Sequence, residues 1–384
     1  MEWHAQDIAD GLIAAGHTVS VITTPLTGGK ALMPLVVNGT IIELGQKFGA
    51  YDPWFFVEFL RQAPGQVAAL NIDVIHAQGF AGIAAERYLR GLAPIVTTIH
   101  GTLWSETPLR EGGKRTLLDH WRFKHRHAIT PLWNNFLENG PRLIVDSQFT
   151  INELERETGR KLKRPPTVVP LGFDLKRFEA DSKGRGAARS HWGAEPNQPL
   201  LATIGRMTAM KNTKLIAKSF ARLVTDYPNA KLIIGGDGPE HKKILADESV
   251  AALVESGAVL MASQLPAQSA TTLLEAADLF VNADGGAPAF GLANAEALVM
   301  GTPVLAFDTG AHCEVVKADD GVLVPGGAGS DFAAAMKRMT HELPEPAEKR
   351  AARADRARQR FARELMIERL LAVYTGARDV GIKT

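Results

Sequence analysis

The sequence predicts an α/β protein of two doubly wound parallel-sheet domains facing a cleft. Three observations carry this: the length, the alternation of short β-rich runs with longer helical ones, and a restart of that alternation halfway along. At 384 residues the chain exceeds the roughly 250–300 residues at which single cores stop growing. Hydrophobic residues make up 45% and charged residues 22%, enough to bury two cores.

Strands are expected in the first half at 18–23, 40–43, 73–76, 95–99, 143–146 and 167–169. Several are continuous apolar runs, as parallel strands covered on both faces require. Helices are expected between them at 5–15, 54–70, 80–90 and 114–139. In the second half strands are expected at 200–204, 231–235, 258–261, 279–282 and 304–307, with helices at 213–226, 267–276 and 292–300. The basic, proline-containing stretch 161–166 reads as a linker. Residues 347–374 read as a charged helical tail.

The net charge of +1 gives no global field for nucleic acid or acidic lipid. The one cysteine, Cys313, allows no internal disulfide and fits a reducing cytoplasm. No stretch reads as a membrane span or a signal peptide. The sequence lacks G-x-G-x-x-G, the P-loop, H-E-x-x-H, paired C-x-x-C and G-x-S-x-G. It also lacks an Asp-x-Asp triplet, a common holder of a divalent ion on a nucleotide diphosphate.

Four constellations remain. Gly205-Arg206-Met207-Thr208-Ala209-Met210-Lys211 follows an apolar run and precedes a helix. Its two cations could grip one anion above a sheet, although taken alone a pair of solvated surface cations is the commoner case. Gly235-Gly236-Asp237-Gly238-Pro239 allows close backbone approach to a phosphate, or serves equally as a strand-to-helix turn. In Phe290-Gly291-Leu292-Ala293-Asn294-Ala295-Glu296, a helix opening at Gly291 would offer N–H groups to a diphosphate. Glu296 would accept from ribose hydroxyls, or stand as a surface glutamate. His100 ends the apolar run 95–99, a place that favours function over a structural role.

In this order the four features resemble the retaining glycosyltransferases of family four, the glycosyl transferases group 1 with the GT-B fold of two Rossmann-like domains. Gly16-His17-Thr18-Val19, Val169-Pro170-Leu171-Gly172, Gly301-Thr302-Pro303-Val304 and Gly310-Ala311-His312-Cys313-Glu314 add to the likeness. The resemblance implies an acceptor-binding domain over 1–168, a nucleotide-sugar domain over 169–359, and a helix near 360–376 returning to the first. It implies that Gly205, Arg206, Lys211, Gly236, Gly291 and Leu292 lie by the donor diphosphate and that Glu296 holds the ribose. Gln264 and Leu265 would meet the base, and His100 the transferred sugar in a catalytic role.

No metal and no cofactor beyond a nucleotide-sugar substrate, most simply a UDP-sugar, is implied. The acceptor would be a glycan or a lipid-linked molecule. The position of the first carboxylate in the family's E-x7-E motif is Pro288 here. A nucleotide-sugar epimerase or a silent nucleotide-sugar-binding subunit would share much of this pattern.

Residues 114–136 place Leu117, Leu118, Trp121, Ile129, Leu132, Trp133 and Phe136 at roughly helical spacing among basic residues. A helix packed on the first domain is the favoured reading, with a peripheral membrane or lipid-acceptor contact the alternative. The sequence opens directly on a helix marked by Ala5, Ile8, Ala9, Leu12 and Ile13. A doubly wound domain ordinarily opens on a central strand. The expectation is a first strand apparently missing from this domain, and a natural form with roughly 15 further residues ahead of Met1, enough for one strand and a loop.

Overall fold

The structure is a computed structural model that describes residues 2–23, 37–43, 53–102, 130–179 and 184–381. It divides into two units: Met1–Phe173 with Arg363–Thr384, and Asp174–Ala362.

In the second unit, six parallel strands form one sheet. They are β7 (Leu200–Ile204), β8 (Lys231–Gly235), β9 (Val259–Met261), β10 (Leu279–Asn282), β11 (Val304–Asp308) and β12 (Gly321–Pro325), in the order β12-β11-β10-β7-β8-β9. The register of the central pair runs from Leu200 opposite Lys231 to Ile204 opposite Gly235. Helices on both faces bury these strands, which explains their unbroken apolar runs.

Helix Thr213–Leu223 shows why the packing follows from the sequence. Ile216, Ala217, Phe220 and Leu223 recur at three- and four-residue spacing and are all buried, forming the apolar stripe of an amphipathic helix. Phe220 lies in the core with Leu201, Leu232 and Leu279. Burying such a side chain contributes about 1.5–3 kcal/mol. Strand β12 was not among the expected strands. Its five residues, GVLVP, are mostly half-buried, so they lack the fully apolar signature of an internal strand.

In the first unit, the described strands fall into two sheets. One pairs β1 (Val21–Thr23) with β2 (Ile41–Glu43). The other is β3 (Ile75–Gln78), β4 (Ile95–Ile99), β5 (Arg142–Val145) and β6 (Thr167–Val168), in that order and all parallel. All five residues of β4 are buried. Strand β3 begins two residues later than the sequence suggested, because Asp73 is an exposed residue paired with Arg378 at 3.1 Å. Helix Gln148–Thr158 is bounded as its sequence dictates. Ser147 Oγ accepts from the Thr150 N–H at 3.2 Å, and Gly159 closes the helix in the left-handed region at φ 70°.

The expected helix 114–139 is helical over 130–139, and 114–129 lie outside the described residues. Trp133 and Phe136 pack in the core with Ile83, Ile99 and Val145, while Leu132 is exposed. The described part thus behaves as a packed helix. Leu117, Leu118, Trp121 and Ile129 lie outside the described residues.

The charged tail is two helices, not one. Ala362 takes an extended ψ of 134° between helix Ala347–Phe361, in the second unit, and helix Arg363–Gly381, in the first. The latter packs Met366, Ile367, Leu370, Val373 and Tyr374 against Ile8, Val96 and Ile144. Among the described residues no helix is long and apolar enough to cross a membrane.

Candidate functional site

In the second unit the chain reverses direction across the sheet between β7 and β10. Loops after the two strands diverge there and leave a crevice at the carboxyl ends, where open α/β sheets bind ligands. Gly205, Lys211, Asn282 and Ala293 line a cavity of about 30 Å³ at this point, together with Thr203, Ile204 and Gly235. Arg206 sits exposed on the same loop, beside rather than among these lining residues.

Lys211 Nζ donates to Asp284 Oδ2 at 2.5 Å. Asp284 is buried, and its other oxygen accepts from the Gly286 N–H at 2.9 Å. Thr309 Oγ1 donates to the Asp284 carbonyl. The carboxylate is therefore fixed from several sides and holds the lysine ammonium at the mouth of the crevice. Asn212, in the left-handed region at φ 49°, turns the chain into helix Thr213–Leu223, and its amide donates to the Ala283 carbonyl at 2.9 Å. Asp284 gave no signal in the sequence beyond its place after a strand.

Gly236 is required by contact. It adopts φ +127°, and a Cβ there would stand 2.0 Å from the Gly205 carbonyl oxygen. Gly236 N–H donates to the Ser263 carbonyl at 2.5 Å. Leu265 covers the end of β8, since a Cβ on Gly235 would meet Leu265 Cδ1 at 2.6 Å. Gln264 is exposed on the same loop. Gly205, Gly236 and Leu265 are thus brought together over the ends of β7 and β8.

Helix Leu292–Val299 starts directly after Gly291, which takes φ +97°. The first N–H groups of a helix have no partner within it; here they belong to Leu292 and Ala293, and Ala293 lines the cavity. Beneath Gly291 lies His312, whose Cδ2 would stand 2.8 Å from a Cβ at that position. His312 Nδ1–H donates to the Phe307 carbonyl at 2.8 Å. That leaves Nε2 as a buried acceptor with no partner among the described residues. Burial, partly offset by the Phe307 carbonyl and Asp284, lowers the pKa of His312.

Asn294 Oδ1 accepts from Asn282 at 2.8 Å, while Asn294 Nδ2 is likewise buried without a described partner. Glu296 is half-buried one turn into the helix. Pro288 is a backbone element of the turn: its carbonyl accepts from the Ala311 N–H at 2.9 Å.

In the first unit, His100 stands at the end of β4. Its Nδ1 meets Asp146 Oδ2 at 2.9 Å and its Nε2 meets Gln78 Oε1 at 2.7 Å. The chain of contacts continues. Gln78 Nε2 lies 3.3 Å from His76 Nε2, and His76 Nδ1 lies 2.7 Å from the Tyr374 hydroxyl. His4, from helix Glu2–Ala14, sets its ring edge-on to His100 at 4.9 Å.

Burial, reinforced by His100 and His76, pulls the pKa of His4 down to about 2. Burial, with His100, pulls that of His76 to about 3. Burial pushes the Tyr374 phenol up. Reading the sequence found His100 and missed Asp146, Gln78, His76, Tyr374 and His4. The available signal was a polar residue at the end of an apolar run, which Gln78 and Asp146 both satisfy. Ligating atoms of His4, His100 and Asp146 lie within 4.8 Å of one another. His4 Nδ1 and Asp146 Oδ1 carry no other partner among the described residues, so these three are the described residues able to take up a metal ion.

Two doubly wound units, one with glycine loops and a lysine–aspartate pair at its switch point, define a protein of the GT-B class. The family profile described as Glycosyltransferase Family 4 matches residues 1–177. That described as Glycosyl transferases group 1 matches residues 185–360. The chain belongs to this glycosyltransferase family.

It is 28% identical over 239 residues to a D-inositol 3-phosphate glycosyltransferase of Rhodococcus jostii, a match over 61% of this chain and 52% of the relative. The chain thus spans about half the length of that curated relative. Among solved structures, it resembles sucrose-phosphate synthase from Thermosynechococcus elongatus at TM-score 0.76 and 19% identity, over 99% of this chain and 93% of that one. It resembles Anabaena HepE in complex with UDP and glucose at TM-score 0.72 and 18% identity, over 97% and 95% of the two chains.

Proposed function

We propose that this protein is a retaining, metal-independent glycosyltransferase that moves a sugar from a nucleotide-sugar donor to a glycan or lipid-linked acceptor. The observation that carries this is the Lys211–Asp284 pair at the β7–β10 switch point, set among Gly205, Gly236, Ala293 and Leu265. Family membership supports the same reading, and HepE, solved with UDP and glucose, supports UDP as the nucleotide.

In such a transfer the anomeric carbon gains oxocarbenium character while the nucleoside diphosphate departs. Negative charge growing on the diphosphate needs cations already in place. Lys211, Arg206 and the helix start at Leu292 and Ala293 supply that preorganised field. Glu296 takes the ribose hydroxyls and Leu265 the base. His312 Nε2 and Asn294 Nδ2 are a buried acceptor and a buried donor, the kind of groups a bound ligand satisfies. His100, oriented by Asp146, serves the transferred sugar. The departing phosphate accepts the acceptor hydroxyl's proton, so no enzymic nucleophile is needed. The protein works in the cytoplasm or at the inner face of the membrane.

Pro288 favours a second reading, a nucleotide-sugar-binding subunit without catalysis. A carboxylate expected near the donor sugar is replaced by a residue whose carbonyl is committed to Ala311. Purified protein separates the two. A panel of nucleotides in thermal unfolding identifies the base, since a ligand at 100 times its Kd stabilises by about 2.7 kcal/mol. The matching nucleotide-sugars are then assayed for hydrolysis and transfer. Binding with neither reaction establishes the silent subunit. Conversion of the sugar without an acceptor establishes an epimerase. Stabilisation by none of the nucleotides overturns the whole reading.

A further inference from the structure

The sheet of the first unit is split. Among the described residues β1 pairs with β2 on one side only, and β3 pairs with β4 on one side only. Every residue of β1 and every residue of β3 lines one and the same cavity, of about 1190 Å³. Ile8 and Leu12 from helix Glu2–Ala14, with Ile72 and Leu371, give it apolar walls. Two strand edges, each a row of peptide groups facing a common gap, form a template for one more strand.

The second unit supplies the pattern for comparison. There the strand order is β9-β8-β7-β10-β11-β12, with β7 in the middle. The chain leaves β7 through loop 205–212, passes along helix Thr213–Leu223 and returns as β8. In the first unit helix Glu2–Ala14 leads into β1 in the same way. The order there is β2-β1, the gap, then β3-β4-β5-β6. Each strand from β8 to β12 has its counterpart in β1 to β5, and the gap stands where β7 stands.

We propose that this gap is a strand-acceptor site that takes one extended apolar segment, parallel to both edges and carried on the same polypeptide ahead of Glu2. Pairing on both sides demands a segment without proline. Burial between apolar walls demands the continuous β-branched and aliphatic character seen in β4 and β7. A loop like 205–212 would join it to the helix and bring its end beside His4, His76 and Gln78.

The test extends the full chain ahead of Glu2 with a copy of its own Leu200–Ile204 strand and its own 205–212 loop. A control extension carries prolines at the second and fourth strand positions. Hydrogen exchange is read at the amides of Val21 and Ile22 and at β3. The paired strand should slow exchange there by about ten-fold or more relative to the control, with β7 and β8 unchanged. Equal exchange in the two extended proteins would overturn the proposal. Protection by the free Leu200–Ile204 peptide added in trans, with none from the fused strand, would also overturn it, because the site would then belong to a separate chain.

Discussion

Lys211 Nζ lies 2.5 Å from Asp284 Oδ2, an ion pair that ties the loop after β7 to the loop after β10. The two strands are neighbours in the sheet but lie on opposite sides of its reversal in chain order. The pair therefore fixes the position of a cation where the two loops part. Its lysine side chain remains 41% exposed, so the ammonium is held without being sealed off from a ligand.

Replacing Lys211 by alanine should reduce sugar transfer by roughly 10²–10³-fold, the usual cost of one preorganised electrostatic contact. Arg206→Ala should do the same through the leaving diphosphate. Steady-state kinetics with saturating acceptor provide the measurement. Unchanged kinetics in both variants would remove this crevice as the donor site.

Gly236→Ala should destabilise the second unit by about 1–3 kcal/mol or more, from strain at φ +127° and the clash with the Gly205 carbonyl. Gly65, inside helix Pro53–Ala68 with nothing near its Cβ position, is the contrast. Gly65→Ala should be neutral or stabilise by about 0.4–1 kcal/mol. Urea unfolding of both variants checks this, and a tolerated alanine at 236 would contradict the close approach of the two loops.

Acidification should weaken the first unit. His4 and His76 are held neutral in the fold with pKa values near 2 and 3, against an ordinary 6.5. The unfolded chain therefore binds more protons between about pH 3 and 6.5, and stability falls as the pH drops through that window. Each ring contributes about 1.4 kcal/mol per pH unit once well below 6.5. The urea midpoint followed through exchange of the β4 amides should fall from pH 7.5 to 5.5. The fall should be shallower in a His4→Gln, His76→Gln double variant, and an equal slope in that variant would assign the effect elsewhere.

Transfer should persist in excess EDTA, because two cations and a helix start stand where the leaving group's charge develops. A loss restored by added Mn²⁺ or Zn²⁺ would instead point to His4, His100 and Asp146, whose ligating atoms lie within 4.8 Å of one another.

Much of this was legible in the sequence. Strands β7, β8, β10 and β11 showed as apolar runs because both of their faces are buried. Gly205 and Lys211 stood out because loops that follow strands carry function. Asp284 did not, since a single aspartate after a strand looks like any solvated turn until Lys211 is seen beside it. The chain from His100 through Gln78 and His76 to Tyr374 joins three strand ends to a helix near residue 374. No periodicity in one stretch of sequence encodes a contact of that separation. Trp133 and Phe136 looked amphipathic in sequence because the spacing that suits a lipid surface also suits a protein core.

Helix Arg363–Gly381 packs on the first unit through Met366, Leu370 and Tyr374, yet it is synthesised after every residue of the second unit. As the ribosome works along the message, the stretch 174–362 is contiguous and can close on itself while translation continues. The earlier-made unit must wait, with Val96 and Ile144 uncovered, until its late helix emerges. Domains in a chain ordinarily mature in the order of their synthesis; in this protein the nascent order is reversed, and the half made first is the half that depends longest on being kept from aggregation.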